Sequence, residues 1–272
     1  MAKRNSRPWI VSDELWSLVE PLLPLPAPKL VAGRPRVPDR QALCGILFVL
    51  HTGIQWEYLP QELGFGSGMT CWRRLATWNE AGVWDQLHLV LLKKLRSAKQ
   101  LDWSRAGKRL QPRPGRSTRP KSGPSPVDRA RPGSKHHILV DGQGIPLAVS
   151  LTGGNRNDVT QLMPLLAKVP SVAGLVGRPR RRPDTLLADR GYDHDKYRRL
   201  VWAQGIKPVI ARRGVPHGSS LGVHRWVVER TIAWLHGFRR LRVRWERRDD
   251  IHEAFLGLAT CLITHRHVQR LC

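Results

Sequence analysis

Cysteine is scarce in this sequence, and its spacing excludes two kinds of protein. The four cysteines, Cys44, Cys71, Cys261 and Cys272, lie far apart, and no Cys-x-x-Cys pair occurs. This spacing argues against a zinc site and against a disulfide-bonded secreted scaffold. We therefore expect a reducing, cytoplasmic location.

Long apolar segments are also missing. No run approaches the roughly 18 to 20 apolar residues that a membrane span requires. The N-terminus, MAKRNSRPWI, is basic but leads into a polar helix, which is not the pattern of a secretory signal. We expect no membrane partner. With 41% hydrophobic residues in 272, the chain can still bury a substantial core in one or two domains.

Acidic residues are outnumbered by basic ones. The sequence has 46 Lys plus Arg against 21 Asp plus Glu, a net charge of +25. A nucleic acid is the partner that this charge favours, because binding releases counterions from the phosphates. Acidic lipid is the alternative partner, but the sequence has no basic amphipathic helix with a clean apolar face to support it. A general RNA-binding protein would have a similar charge.

Residues 1–97 are predicted to form an all-helical domain. The four predicted helices begin after Ser12, at Asp39, after Ser67 or Thr70, and at Trp84. Short helices joined by glycine-bearing turns resemble a helix-turn-helix domain, whose second helix would place Arg73 and Arg74 against DNA. The alternative is an all-helical domain with solvated arginines.

Residues 98–135 differ in composition from the segments on either side. Pro, Gly, Arg, Lys and Ser dominate, and no apolar periodicity follows Trp103. This composition predicts a disordered linker or a loop that contacts phosphate. Two prolines and a glycine within residues 109–115 argue against a central strand there.

Residues 136–272 are predicted to form an α/β domain. Residues 138–140 and 146–151 flank a turn sequence, Asp-Gly-Gln-Gly, which is a strong hairpin signal. The remaining predictions are strands at 185–188 and 208–211 and helices near 162–166, 193–204, 223–241 and 251–267. This order fits an α/β domain that lacks its leading strand.

Two acidic residues of this domain are candidates for chemistry. Asp189 follows a short buried strand, where open α/β sheets place groups that face a ligand, although a turn or cap residue would look the same. Glu229 lies on a helix opposite an apolar stripe and shares its face with Arg225 and His236. A solvated Glu–Arg pair predicts the same placement. The stripe consists of Val227, Thr231, Trp234, Phe238 and Leu241.

Several segments, in order along nearly the whole chain, resemble one family. These segments are 123–129 (Gly-Pro-Ser-Pro-Val-Asp-Arg), 153–158 (Gly-Gly-Asn-Arg-Asn-Asp), 188–193 (Ala-Asp-Arg-Gly-Tyr-Asp), 225–230 (Arg-Trp-Val-Val-Glu-Arg) and 249–255 (Asp-Asp-Ile-His-Glu-Ala-Phe). The chain is similar to the IS-five group of bacterial insertion-sequence transposases. The resemblance implies a helical DNA-binding domain followed by an RNase H-like domain with an Asp-Asp-Glu triad that holds two Mg²⁺ or Mn²⁺ ions.

The same resemblance implies partners and an activity. The protein would bind the terminal inverted repeats of double-stranded DNA, cleave a strand and transfer it to target DNA. It would act as a homo-oligomer on DNA and associate with the bacterial nucleoid when bound.

The resemblance assigns roles to residues by position. Asp189 is the second aspartate and Glu229 the glutamate, both as metal ligands. Arg225 matches the arginine of the family's Tyr-Arg-Glu-Lys signature, but Gly222 and His236 stand at its Tyr and Lys positions, so the signature is half present. The candidate DNA contacts are Arg73, Arg74, His136, His137, Arg190 and Arg230. The two adjacent histidines have a second interpretation, as core residues.

The first catalytic aspartate of the family has no counterpart. The family carries it in a segment resembling Asp-Ser-Ser-His-Val-Arg-Ala, where this chain has Arg-Leu-Gln-Pro-Arg-Pro-Gly at 109–115. Asp102, Asp128 and Asp141 are not convincing substitutes, because they precede the expected strand or fall in a loop or a turn.

A change of reading frame would explain the missing segment. One possible set of codons for residues 109–115 is CGA-CTC-CAG-CCA-CGT-CCG-GGC. Read one base later, through the first base of the Arg116 codon, this set encodes Asp-Ser-Ser-His-Val-Arg-Ala. We hypothesise a frameshift near Ala106 that is reversed before about Pro120. Gene codons that give another heptapeptide in the shifted frame would exclude it. The hypothesis predicts impaired cleavage with DNA binding retained. The alternative is a non-catalytic DNA-binding protein that interferes with active relatives.

Overall fold

A computed structural model of the chain describes residues 7–26, 35–115, 120–125, 129–214 and 222–272. In the N-terminal part its helices are α1 (Asp13–Val19), α2 (Asp39–Thr52), α3 (Gly68–Glu80) and α4 (Val83–Ser97). The predicted helix starts are confirmed at two caps, since the hydroxyl of Ser12 accepts from the Leu15 N–H and that of Ser67 from the Thr70 N–H, each at 3.2 Å. Helix α2 ends as predicted, at Gly53 in the left-handed conformation.

A mixed sheet follows the helices. Its strands are β1 (Ala106–Pro114), β2 (Gly123–Pro124), β3 (Pro132–Val140), β4 (Pro146–Gly153), β5 (Thr185–Ala188) and β6 (Lys207–Ile210). The long strands run in the order β4, β3, β1, β5, β6, and the short β2 also pairs with β3. The pairs β4–β3 and β3–β1 are antiparallel, whereas β1–β5 and β5–β6 are parallel. This is the RNase H-like arrangement that the resemblance implies.

The prediction that residues 98–135 lack regular structure is wrong for β1, β2 and the first part of β3. Strand β1 lies at the centre of the sheet, despite its prolines. The Gly115 N–H donates to the Pro132 carbonyl at 2.9 Å, so by alternation the nitrogens of Pro112 and Pro114 face away from β3. The opposite edge of β1, which faces β5, pairs with that strand only at Ala106 and Gly107. The prolines therefore interrupt no ladder, as on an edge strand.

Helices cover both faces of the sheet, and the helical N-terminal part shares one of the two cores. The later helices are α5 (Leu162–Ala167), α6 (Asp195–Ala203), α7 (Gly222–Gly237) and α8 (Asp249–Leu271). One core joins side chains of α2, α3 and α4 to those of α7, α8 and β3, and α4 packs along α8. The second core, on the other face, includes Leu139, Leu147, Leu162 and Leu186. Whether residues 1–97, 98–135 and 136–272 behave as separate units stays a prediction.

No helix in the described ranges is both long and apolar enough to cross a membrane.

Candidate functional site

Asp189 lies at the carboxyl end of β5, where the sequence predicts it. Its Oδ1 accepts a hydrogen bond of 2.9 Å from the Gly191 N–H, so the side chain caps the short turn that follows. The side chain is exposed. The β1–β5 pairing joins Ala106 to Leu186 and Gly107 to Leu187. Continuing this register by two residues brings Arg109 level with Asp189.

Arg109 makes an ion pair with Glu229. The Arg109 Nη1 lies 2.9 Å from the Glu229 Oε1, and the two side chains are 27% and 43% exposed. Arg109 is the position at which the family's first aspartate is expected. A guanidinium therefore lies against Glu229 at the position where the resemblance implies a carboxylate.

The neighbouring residue of β1 also carries positive charge to the site. Lys108 is 3% exposed, and its Nζ lies 4.1 Å above the Tyr192 ring and 3.4 Å from the Asp158 carbonyl oxygen. Burial lowers the pKa of Lys108 to about 7, although the charges of Asp158 and Asp189 act to raise it. Two consecutive residues of β1 thus place basic side chains near the two candidate acids.

A third acidic ligand is missing from the described site. Nowhere in the described ranges do three His, Cys, Asp or Glu side chains come together in a way that could hold a metal ion. Asp141 is 1% exposed, and its Oδ1 accepts from the Gln143 and Ile145 N–H groups while its Oδ2 accepts from the Asp102 N–H. Burial raises the pKa of Asp141 to about 7. This carboxyl organises the turn between β3 and β4, and Asp128 lies outside the described residues.

The prediction that His136 and His137 contact DNA is wrong. They are 3% and 0% exposed, because both faces of β3 are covered. The His136 Nε2 lies 2.8 Å from the His252 Nε2, and the His137 Nε2 lies 2.7 Å from the Thr152 hydroxyl. Burial lowers the pKa of His136 well below its usual value and that of His137 to about 3. Both are neutral residues of the core, which agrees with their alternative interpretation as core residues.

The arginines predicted to contact DNA differ in their surroundings. Arg73 is exposed on α3, whereas Arg74 is half-buried with its Nε 3.5 Å from the Asp39 Oδ1. The backbone of Arg225 belongs to α7, but its side chain lies outside the described residues. Its role and the DNA contact of Arg73 stay predictions.

Arg190 and Arg230 also take part in the local structure. The Arg190 carbonyl accepts from the Arg213 Nε at 3.2 Å. The Arg230 guanidinium lies 4.8 Å from the Trp226 ring centroid and 4.9 Å from that of Trp234, and it donates to the Gln143 carbonyl. These contacts fix the Arg230 side chain along α7.

Sequence reasoning missed Lys108, Arg109 and Arg113, because it assigned their segment to a loop. It also predicted too narrow an apolar stripe on α7, since Val228, Ile232 and Leu235 are buried as well. The sequence carries no signal for these cations, because residues 106–114 show no alternation of apolar and polar positions and their prolines argue against a strand.

Two family models match the chain. "Putative transposase of IS4/5 family" matches residues 11–88, and "Transposase DDE domain" matches residues 111–264. The second model covers more than half of the chain. This protein therefore belongs to the DDE transposases.

The curated relatives come from an insertion sequence of Burkholderia cepacia. The chain is 60% identical over 152 residues to "Putative transposase for insertion sequence element IS402", covering 56% of this chain and 72% of the relative. It is also 60% identical over 99 residues to "Insertion element IS402 uncharacterized 16.2 kDa protein", covering 36% of this chain and 67% of that protein. The chain is an insertion-sequence transposase of the DDE class.

Among solved structures, the chain matches "Crystal structure of the Mos1 mariner paired end complex with Mn". The identity is 12%, the match covers 90% of this chain and 80% of that chain, and the TM-score is 0.27. A likeness this low carries no inference about mechanism.

Proposed function

We propose that this transposase binds the DNA ends of its insertion sequence but is impaired in cutting them. The observation that carries the proposal is the 2.9 Å contact between the Arg109 Nη1 and the Glu229 Oε1. In this proposal Asp189 and Glu229 are the two remaining acids of the family's triad, and a cation stands in place of the third.

The residues present do not fit a two-metal site. Mg²⁺ and Mn²⁺ sites in nucleases and polymerases use several carboxylate oxygens to hold two ions about 3.5 to 4 Å apart. Here Glu229 faces a guanidinium, which stays protonated in proteins. Lys108, whose pKa burial lowers to about 7, adds a partial positive charge near Asp189. A divalent cation would have to displace Arg109 and enter a site with two acids instead of three.

DNA binding has separate support. The net charge of +25 favours a polyanion, and α3, the predicted recognition helix, is folded with its Ser67 cap and with Arg73 exposed. These features lie away from the altered β1 segment. We propose double-stranded transposon-end DNA as the ligand, bound by a homo-oligomer at the nucleoid.

The burial pattern of β1 supports the shifted reading frame. In that frame position 113 would be valine, and position 113 is buried. Positions 112 and 114, which are exposed, would be histidine and arginine. Position 109 would be aspartate, beside Glu229 and level with Asp189. The shifted heptapeptide therefore matches its surroundings better than the present one.

A nicking assay tests the proposal. Labelled DNA from the two flanks of the gene is incubated with Mg²⁺ or Mn²⁺ and with the present chain, a frame-restored chain, or the restored chain carrying Glu229→Ala. We expect cleavage only by the restored chain, because it alone has three acids. Gel-shift binding should be similar for all three proteins. Cleavage by the present chain would contradict the proposal.

Interference with active relatives is the second candidate function, favoured by the intact helical part and the altered β1. A chain that binds ends without cutting would lower cleavage by the restored chain when the two are mixed. The matched control is the present chain with Arg73→Gln, which we expect to bind DNA more weakly and to interfere less. Equal interference by both would argue against α3 as the binding element.

A further inference from the structure

Arg113 is a buried cation whose Nε lacks a hydrogen-bond partner among the described residues. The side chain is 8% exposed, and its Nε is buried without a hydrogen-bond partner in the described part of the chain. Charged groups are rarely buried unless they are paired, because desolvation is costly. A guanidinium stays charged under these conditions. Among the described residues, the charge that acts on Arg113 is the positive charge of Arg242.

The groups around Arg113 are donors or positively charged. Arg242 and His236 are close enough for their charges to influence each other and Arg113, and the Arg242 Nε donates to the His236 carbonyl at 2.8 Å. The His236 Nε2 is buried and also has no partner within the described residues. From the neighbouring elements, His136 and His252 face the same region.

One acid of the segment between α7 and α8 is already paired. Glu246 is bound to Arg240, whose Nε lies 2.8 Å from the Glu246 Oε1. On β3, opposite Arg113, Ser134 accepts a hydrogen bond of 2.9 Å from the Arg244 Nη1. The described surroundings of Arg113 thus contain hydrogen-bond donors and cations, which is the composition of an oxyanion site.

We infer that Arg113, Arg242 and His236 form a binding site for a phosphate oxyanion, from a nucleic acid backbone or from free phosphate. The guanidinium fork of Arg113 presents N–H donors that match phosphate oxygens. His236 lies seven residues after Glu229 on α7, which is about 10 Å along the helix axis. A phosphate bound here would lie about two helical turns from Glu229. This site goes beyond the proposed function, since it can bind whether or not DNA is cut.

Thermal unfolding in chloride and in inorganic phosphate at equal ionic strength tests the site. We expect phosphate to raise the Tm of the present chain by roughly 3 °C. Arg113→Val should raise the Tm in chloride, because it removes an unpaired buried charge, and should lose the phosphate increment. Arg199→Gln, the same change of charge at an exposed position of α6, should keep the increment. An increment that persists in Arg113→Val would overturn the inference.

Two further measurements complete the test. Arg242→Gln alters an exposed side chain and should also reduce the increment without affecting folding. Binding of duplex DNA then distinguishes the sources of phosphate. About tenfold weaker DNA binding by Arg113→Val, together with loss of the phosphate increment, would assign the site to the nucleic acid backbone. Loss of the phosphate increment with unchanged DNA affinity would assign it to free phosphate, and loss of neither would exclude it.

Discussion

Arg109 shows how one side chain can change what a site is able to bind. It occupies a position of β1 from which it reaches Glu229, and it brings a permanent positive charge to an acid that we propose as a former metal ligand. The backbone of the site is in place, since β5 delivers Asp189 and α7 delivers Glu229. In the proposed function, the side chain at this position therefore decides whether Glu229 forms a salt bridge or can bind a metal ion.

Replacing Arg109 with aspartate should create a response to metal. Without metal, Arg109→Asp puts a third carboxylate near Glu229 and Asp189, so repulsion should lower the Tm. Saturating Mn²⁺ should then raise the Tm of this variant by about 5 °C, whereas the parent chain should change little. The control Arg109→Ala removes the cation without adding a ligand and should respond weakly. An equal Mn²⁺ shift in parent and variant would show that Arg109 does not block the site.

At the scale of single elements, α3 depends on a glycine at its first residue. A Cβ added at Gly68 would lie 1.7 Å from the Trp56 carbonyl oxygen, so the helix start and the turn at Trp56–Tyr58 are in direct backbone contact. Backbone atoms cannot move aside to make room for a Cβ as the end of a flexible side chain can. This contact sets where α3, and with it Arg73, sits relative to the preceding turn.

The variant Gly68→Ala should therefore destabilise the protein and weaken DNA binding together. We expect a loss of about 1 to 3 kcal/mol in the free energy of unfolding, the range for overpacking a tight site. Urea denaturation measures the loss. Gly237→Ala is the matched control, because a Cβ there has nothing within 4 Å. A Gly68→Ala protein as stable as this control would show that the turn can move aside at little cost.

The elements also show what sequence reasoning can and cannot find. The caps at Ser12 and Ser67, the left-handed stop at Gly53 and the strand Thr185–Ala188 depend on local chemistry, and their predictions are confirmed. Strand β1 was missed because its hydrogen bonds come from β3, which lies far along the chain, and because its prolines fall on the unpaired edge. The placement of Asp189 could be predicted. Its cationic neighbours could not, since they depend on β1.

At the scale of the whole molecule, the core histidines link stability to pH. His137 and His252 are fully buried, and burial lowers the pKa of each to about 3 from a usual value near 6.5. The unfolded chain therefore binds more protons than the folded chain between pH 3 and 6.5. Their contribution to stability is complete above pH 6.5 and is lost as the pH falls towards 3. Asp141, with its raised pKa, acts in the opposite direction between about pH 4 and 7.

We expect the free energy of unfolding to fall between pH 6.5 and 5, with each such histidine contributing up to about 1.4 kcal/mol per pH unit. Urea denaturation across this range measures the slope. In His137→Gln, where an amide can replace the bond to Thr152, the slope should be smaller by about one proton. An unchanged slope in this variant would mean that His137 does not titrate on unfolding.

The core shared by α4 and α8 has a consequence for the ways in which such a gene can decay. Side chains of α8 pack in the core between the N-terminal helices and the sheet. Arg240, which precedes α8, also contacts the N-terminal part, since it donates to the Ile54 carbonyl at 2.7 Å. A stop codon that removed residues 249–272 would remove α8. The side chains of α4 that pack against α8 would then be exposed, and the helical part that precedes the sheet would unfold. A frame change confined to β1 spares that contact, because main-chain bonds hold the strand. We therefore expect truncation to unfold the helical part, whereas a frame change within β1 would leave it folded.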